Sequence, residues 1–266
     1  MKFKKLVSLA LCALLSIAAV GCSSSSAEDE KVIKVGATLV PGGELLEELK
    51  PLIEEKGYDL EVTIFDDYVL PNEALNNKEI DANLFQHKPY LDEAVKNKGY
   101  EIMAGSKLYV CPGVLYSHKI DSVEEFKKGD KIAISNNPSA GSKCLKYLQE
   151  IGLIKVKDGD LVSVKDIVEN PKELEIVELD VAQIPAALEE VTAGFIDTTF
   201  AVPAGLSADE DGIYTAPVND KYANLLAYRI EDKDSEKIKV LEEVLTSDEC
   251  RELIKEKYKG IVIPVF

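Results

Sequence analysis

VIKVGATLVPGGELLEELKPLIEEKGYDLEVTIF (Val32–Phe65) decides the fold class of this chain. Val32–Val40 is a run of apolar and small residues that reads as a buried strand, and Pro41-Gly42-Gly43 breaks it. From Glu44 to Lys56 the apolar side chains recur at helical spacing (Leu45, Leu46, Leu49, Leu52, Ile53), and Leu60–Phe65 returns to strand character. A strand, a short turn, a helix and a second strand of these lengths make a βαβ unit with a parallel pair.

The alternation continues outward from that unit. Pro71 opens a short helix, Ala82–Phe85 is a brief strand, His87–Lys98 is helical and Ile102–Val110 extended. Ser122-Val-Glu-Glu125 carries a capping-box signature. Strands are expected at Lys131–Ser135, Leu174–Leu179, Phe195–Ala201 and Tyr222–Arg229. Helices are expected at Ser139–Ile151, Ala182–Val191, about 234–246 and 247–258. The pattern predicts an α/β fold with parallel sheets. Two groups of units joined by long extended segments, 102–116 and 222–230, predict two lobes with a ligand cleft between them. Residues 32–112 with 225–266 would form lobe 1, and 113–224 lobe 2. Ligands in such folds sit outside the carboxyl ends of strands, which here are Thr38–Gly43, Asn136–Ser142 and Asp197–Phe200.

Residues 1–21 are a different kind of segment. Lys2, Lys4 and Lys5 precede an uncharged run, Leu6–Gly21, that ends in Ala19-Val20-Gly21-Cys22. A basic start, a short apolar stretch and small residues at its end describe a secretory signal. Cysteine directly after them resembles a bacterial lipobox, although Ala19 stands where leucine is commoner. That resemblance implies cleavage before Cys22 and lipid on its sulfur. Residues 22–31, with four consecutive serines and then Ala27-Glu28-Asp29-Glu30, read as a polar tether.

Removing residues 1–21 deletes three lysines and no acid, so the formal charge moves from −17 to −20. So acidic a domain offers no basic face to phosphate, which argues against a nucleic-acid partner. Cys111, Cys144 and Cys250 have no CxxC spacing, and they predict buried free thiols rather than a zinc site or a disulfide framework.

The stretch Asp66–Asp92 gathers Tyr68, Phe85, His87 and Tyr90 among carboxylates and amides, a composition suited to a small ligand with an apolar side chain. Together with four fragments elsewhere it resembles the NlpA/MetQ family of methionine-binding lipoproteins, the extracellular receptors of a methionine ABC importer. The fragments in this segment are Asp67-Tyr68-Val69 with Pro71-Asn72, and Phe85-Gln86-His87-Lys88-Pro89-Tyr90-Leu91-Asp92. The others are Asn170-Pro171-Lys172, Ala182-Gln183-Ile184-Pro185, Tyr222-Ala223-Asn224 and Lys259-Gly260-Ile261-Val262-Ile263-Pro264. The resemblance covers nearly all of the chain after the tether. It implies a two-lobed periplasmic-binding-protein-like fold closing on an amino acid, with no cofactor and no metal. It further implies a lipid-anchored extracytoplasmic location and a membrane permease and ATPase as partners. Its ligand-binding residues carry over onto Tyr68, Phe85, His87, Tyr90 and Asn224.

Two positions depart from the family. Lys143 stands where the family has the arginine that pairs with the ligand carboxylate, and Asp197 where it has an asparagine. Lysine is a point charge and does not reproduce the bidentate guanidinium fork. Two expectations follow: a Lys143–Asp197 ion pair with methionine still bound, or a different ligand such as another amino acid, a methionine derivative or a small peptide. A metal receptor is disfavoured by two histidines and no clustered thiols. An enzyme would have to be drawn from Asp66, Asp67, His87 and Cys144, which no readable spacing joins into a catalytic set. His118, with no such context, reads as a surface residue.

Overall fold

The computed structural model describes residues 31–258 and 261–266, so the signal segment, Cys22 and the tether lie outside it, as does Lys259-Gly260. The opening unit forms as expected: β1 (Val32–Ala37), α1 (Glu44–Glu55) and β2 (Asp59–Ile64), with β1 and β2 parallel. Leu45, Leu46, Leu49 and Ile53 of α1 are all buried, so one helical stripe provides the helix's share of the core. Then follow α2 (Leu70–Asn76), β3 (Ala82–His87), α3 (Lys88–Lys98) and β4 (Ile102–Val110). The chain crosses to a second group of elements: β5 (Val114–Tyr116), β6 (Lys131–Ser135), α4 (Pro138–Glu150), β7 (Lys155–Val156), β8 (Ile167–Glu169), β9 (Glu175–Leu179), α5 (Ile184–Ala187), β10 (Ala193–Ile196), α6 (Thr198–Ala201) and β11 (Gly212–Thr215). It returns along β12 (Asn224–Arg229) and ends in α7 (Glu236–Leu245), α8 (Asp248–Tyr258) and β13 (Ile263–Pro264).

Each lobe is built on one sheet. The first has the order β13-β4-β12-β3-β1-β2 and the second β11-β5-β10-β6-β9. Ile33, Val35, Leu46 and Leu84 pack with Leu241 and Ile254 of the C-terminal helices into the first core. The second core is centred on Ile132, Ile134, Leu145, Leu148 and Phe195. The two-lobed α/β architecture is therefore present, but its sheets are mixed rather than parallel. β12 runs antiparallel to both β3 and β4, and β5 antiparallel to β10 and β11. The cause is the double crossing: β4 leaves the first lobe and β12 re-enters it alongside, so the two neighbours must point in opposite directions.

Three local expectations are corrected. Phe195–Ala201 is not one strand: β10 stops at Ile196 and residues 198–201 form a helical turn. The β-branched pair Thr198-Thr199 misled the reading, since strand propensity yields to tertiary context. Ala182–Val191 divides into a 3₁₀ turn at Val181–Gln183 and the four-residue α5. Ser122 does not cap its turn; the reciprocal capping box joins Ser163 and Asp166 instead.

Candidate ligand-binding site

The first wall of the site stands on an amide network. Asn72, Asn83 and Gln86 are 2%, 0% and 3% exposed. Asn72 Nδ2 donates to Gln86 Oε1 at 2.9 Å, and Asn72 Oδ1 accepts from Asn83 Nδ2 at 2.9 Å and Gln86 Nε2 at 2.7 Å. Gln86 Nε2 also donates to Asn83 Oδ1 at 2.9 Å, and Asn83 Nδ2 to the Pro71 carbonyl at 3.1 Å. A satisfied buried network of this kind fixes α2 to β3 in one position. Asp67 accepts from the backbone N–H groups of Val69 and Leu70, at 2.6 and 2.8 Å, and so holds the turn that presents Tyr68. The Tyr90 hydroxyl donates to the Tyr68 carbonyl at 2.6 Å. As a result the rings of Tyr68, Phe85 and Tyr90 meet with centroids 5.8–6.2 Å apart.

His87 closes this wall. It ends β3 at the N-cap position of α3, where its Nδ1 accepts from the Tyr90 backbone N–H at 3.2 Å. Burial, assisted by the nearby Lys143 charge and opposed by Asp197, lowers its pKa to about 3. The ring is therefore neutral near pH 7, and with Nδ1 accepting, the proton sits on Nε2. Its ring and that of Tyr222 meet in a T-shaped arrangement, with centroids 5.3 Å apart.

The second wall is polar. Asn137 caps α4 by accepting from Ser139 N and Ala140 N, both at 3.0 Å. One turn on, Lys143 is buried, its side chain 8% exposed, and its Nζ lies 3.2 Å from Asp197 Oδ1. Burial is the largest single influence and would lower the Lys143 pKa, but the Asp197 charge and hydrogen bond, with smaller contributions from Cys144 and Tyr147, turn the net shift upward, so the ammonium stays charged. Lys143 Nζ also lies over the Tyr222 ring, 5.8 Å from its centroid. Asp197 ends β10 at the N-cap position of α6 yet makes no capping hydrogen bond; its side chain is 31% exposed.

The two walls touch. Thr199 Oγ1 donates to the Val40 carbonyl at 2.8 Å and lies 3.4 Å from Thr38 Oγ1. Glu93 accepts from the Ser139 backbone N–H at 3.2 Å, and the Phe200 ring packs tilted against Tyr68 with centroids 5.3 Å apart. Gly42 lets the Leu39–Gly43 turn lie against β3, since a Cβ there would meet the Leu84 carbonyl oxygen at 2.5 Å.

Tyr68, Phe85, His87, Tyr90, Lys143, Asp197 and Asn224 all line one cavity of about 590 Å³, part of it continuous with solvent. Asn224 enters from the first residue of β12, paired with His87 on one side and Tyr109 on the other. Thr38, Pro41, Ala140, Thr198 and Thr199, which lie in the strand-end segments expected to face a ligand, complete the lining together with Gln86, Tyr109, Cys111 and Tyr222, to which sequence reasoning gave no ligand role. Strand ends flag Thr38 and Thr198, and Tyr222 adjoins Asn224; nothing local flags Tyr109 or Cys111. Asp66 and Asp67 are not part of the lining. Cys144 is buried and its thiol is pushed up to about 12, the opposite of a nucleophile's activation. Among the described residues no group of three or more His, Cys, Asp or Glu is placed to hold a metal ion. His118 is exposed and lies 3.2 Å from Glu189.

The profile of the NlpA lipoprotein family matches residues 33–266. The chain belongs to the NlpA lipoprotein family. The D-methionine-binding lipoprotein MetQ of Salmonella typhi, a relative, is 41% identical over 98% of both chains. A lipoprotein crystal structure from Clostridium difficile is 74% identical, with a TM-score of 0.87 over 90% of this chain and all of that one. A nutrient-binding protein from Burkholderia cenocepacia, solved bound to methionine, is 40% identical with a TM-score of 0.85, covering 88% of this chain and all of that one. In this NlpA-family chain no described helix is long and apolar enough to cross a membrane.

Proposed function

We propose that this protein is an extracytoplasmic substrate-binding lipoprotein that captures methionine for an ABC importer. The observation that carries the reading is the convergence of an aromatic wall and a Lys143–Asp197 charge pair on one cavity between two lobes. Tyr68, Phe85 and Tyr90 enclose the thioether, each sulfur–aromatic contact adding roughly 0.3–1.5 kcal/mol. Lys143 takes the carboxylate, while His87 Nε2–H and Asn224 supply neutral hydrogen bonds. Residues 32–112 with 225–266 act as one closing body and 113–224 as the other. Their closure presents the docking surface to a membrane permease served by a cytoplasmic ATPase. Cys22 carries the lipid that holds the domain on the outer face of the membrane, with 23–31 as tether.

Titration calorimetry with L- and D-methionine tests this. Micromolar or tighter binding, lost in Lys143→Ala, is the expected result. Absence of heat with both, together with a thermal shift from another amino acid, refutes methionine as the ligand. Mass spectrometry of the N-terminal peptide tests the anchor, with a diacylglyceryl mass on Cys22 expected.

A further inference from the structure

We propose that Asp197 anchors the ligand's α-ammonium, so that the site accepts free α-amino acids and rejects isosteres lacking a positive charge there; this rests on the amino-acid reading above. Aspartate is among the strongest N-capping residues because its carboxylate satisfies free backbone N–H groups. Asp180 behaves so in this chain, accepting from Ala182 N at 3.0 Å, and Asn137 and Asn219 cap likewise. Asp197 occupies the same position before α6 and does not cap. Its carboxylate instead lies 3.2 Å from Lys143 Nζ, and Asp197 lines the cavity with 31% of its side chain exposed.

The pairing with Lys143 sets what such a carboxylate selects. The two groups sum to zero charge and sit 3.2 Å apart. A free α-amino acid carries its own opposite charges on substituents of one carbon, so its carboxylate meets Lys143 while its ammonium meets Asp197. All four charges are then paired. A ligand with the carboxylate alone would bring a net negative charge into a closed cleft and place it beside Asp197. An unpaired charge in such surroundings is strongly disfavoured. The chain's formal charge of −17 opposes the approach of anions in the same sense. The aromatic wall tolerates either ligand, since the charge difference lies wholly at the other end.

The full-length protein, purified in detergent, is titrated with L-methionine and with 2-hydroxy-4-(methylthio)butanoate. The hydroxy acid has the same heavy-atom skeleton and keeps a hydrogen-bond donor, but lacks the ammonium charge. Wild type is expected to bind it at least about 30-fold more weakly than L-methionine. In Asp197→Asn that ratio should shrink by about 10-fold or more, because an amide accepts equally from hydroxyl and ammonium. A smaller ratio in the wild type, or a ratio that Asp197→Asn leaves within that factor, overturns the proposal even where methionine binds. If the Asn variant fails to fold, Asp197→Ser takes its place and the wild-type ratio stands by itself. If L-methionine is silent and another amino acid binds, methionine is refuted as ligand, and the ratio is read on that amino acid and its 2-hydroxy analogue. If no amino acid binds, the proposed function falls and this proposal with it.

Discussion

Lowering the pH from 7.5 to 5 should destabilise this protein through His87. In the folded state burial holds the imidazole neutral with a pKa of about 3, against about 6.5 in an unfolded chain. The folded value is depressed, so between the two the unfolded state binds the extra proton, and stability present above pH 6.5 is lost as pH falls toward 3. Integrating that difference gives a loss of about 2 kcal/mol between pH 7.5 and pH 5. The substitution His87→Gln keeps an acceptor for the Tyr90 N–H, 3.2 Å away in the native protein, and removes the titrating group. Urea unfolding of the unliganded protein at half-unit pH steps measures both curves, and His118 cancels because both proteins carry it. The wild-type stability should fall below that of His87→Gln by an additional ~2 kcal/mol over the window. Two curves running parallel within about 0.5 kcal/mol would refute the account of His87 as a neutral buried ring.

Asn72→Ala removes three hydrogen bonds of the buried amide network and leaves Gln86 Oε1 without its 2.9 Å partner. Chemical denaturation should show a loss of roughly 2–4 kcal/mol, and a change below 1 kcal/mol would mean the network contributes little. Glu93→Ala deletes an inter-lobe hydrogen bond to Ser139 N outside the cavity lining. It should raise the Kd for methionine about 2- to 10-fold through faster dissociation, with the unliganded melting temperature little changed; stopped-flow release separates these. Cys144 and Cys250, both pushed up to about 12 by burial, should stay unlabelled by a thiol reagent at pH 7.5 until the protein unfolds.

How much of the fold could be read depended on whether its cause was local. The stripe Leu45–Leu46–Leu49–Ile53 announces α1 because burial of one face is written in adjacent turns. Strand direction was not legible in the same way. Whether β12 pairs parallel or antiparallel with β3 depends on a chain that has left the lobe after Val110 and returned at Asn224. No residue within Asn224–Arg229 records that path. The break after Ile196 is similar: Asp197, where the strand gives way to a helical turn, pairs with Lys143 54 positions away, and local propensity saw only two threonines. Asn170-Pro171-Lys172 shows the reverse, a fragment conspicuous in sequence whose visible work is structural. Its Lys172 donates to the Phe126 carbonyl at 2.6 Å and its Asn170 accepts from Leu174 N at 2.9 Å.

The site divides along the same line, and its construction explains why. A single segment can build only one wall of a closing cleft, because its residues move together with the lobe they belong to. Tyr68, Phe85, His87 and Tyr90 fall within 23 positions and share the α2–β3–α3 unit, so composition alone exposed them. The opposing wall must come from the other sheet, and there Lys143 and Asp197 reach the cavity from α4 and from the end of β10, two separate elements. Composition and periodicity show only an ordinary lysine on a helix and an ordinary aspartate before a turn; it took the family resemblance to single them out, and the ion pair expected of them forms at 3.2 Å. A wall drawn from one segment is therefore legible in composition, whereas a wall assembled from two elements 54 positions apart is legible only by comparison. Here that second wall carries the charges, and the charges decide which ligand the aromatic wall is allowed to hold.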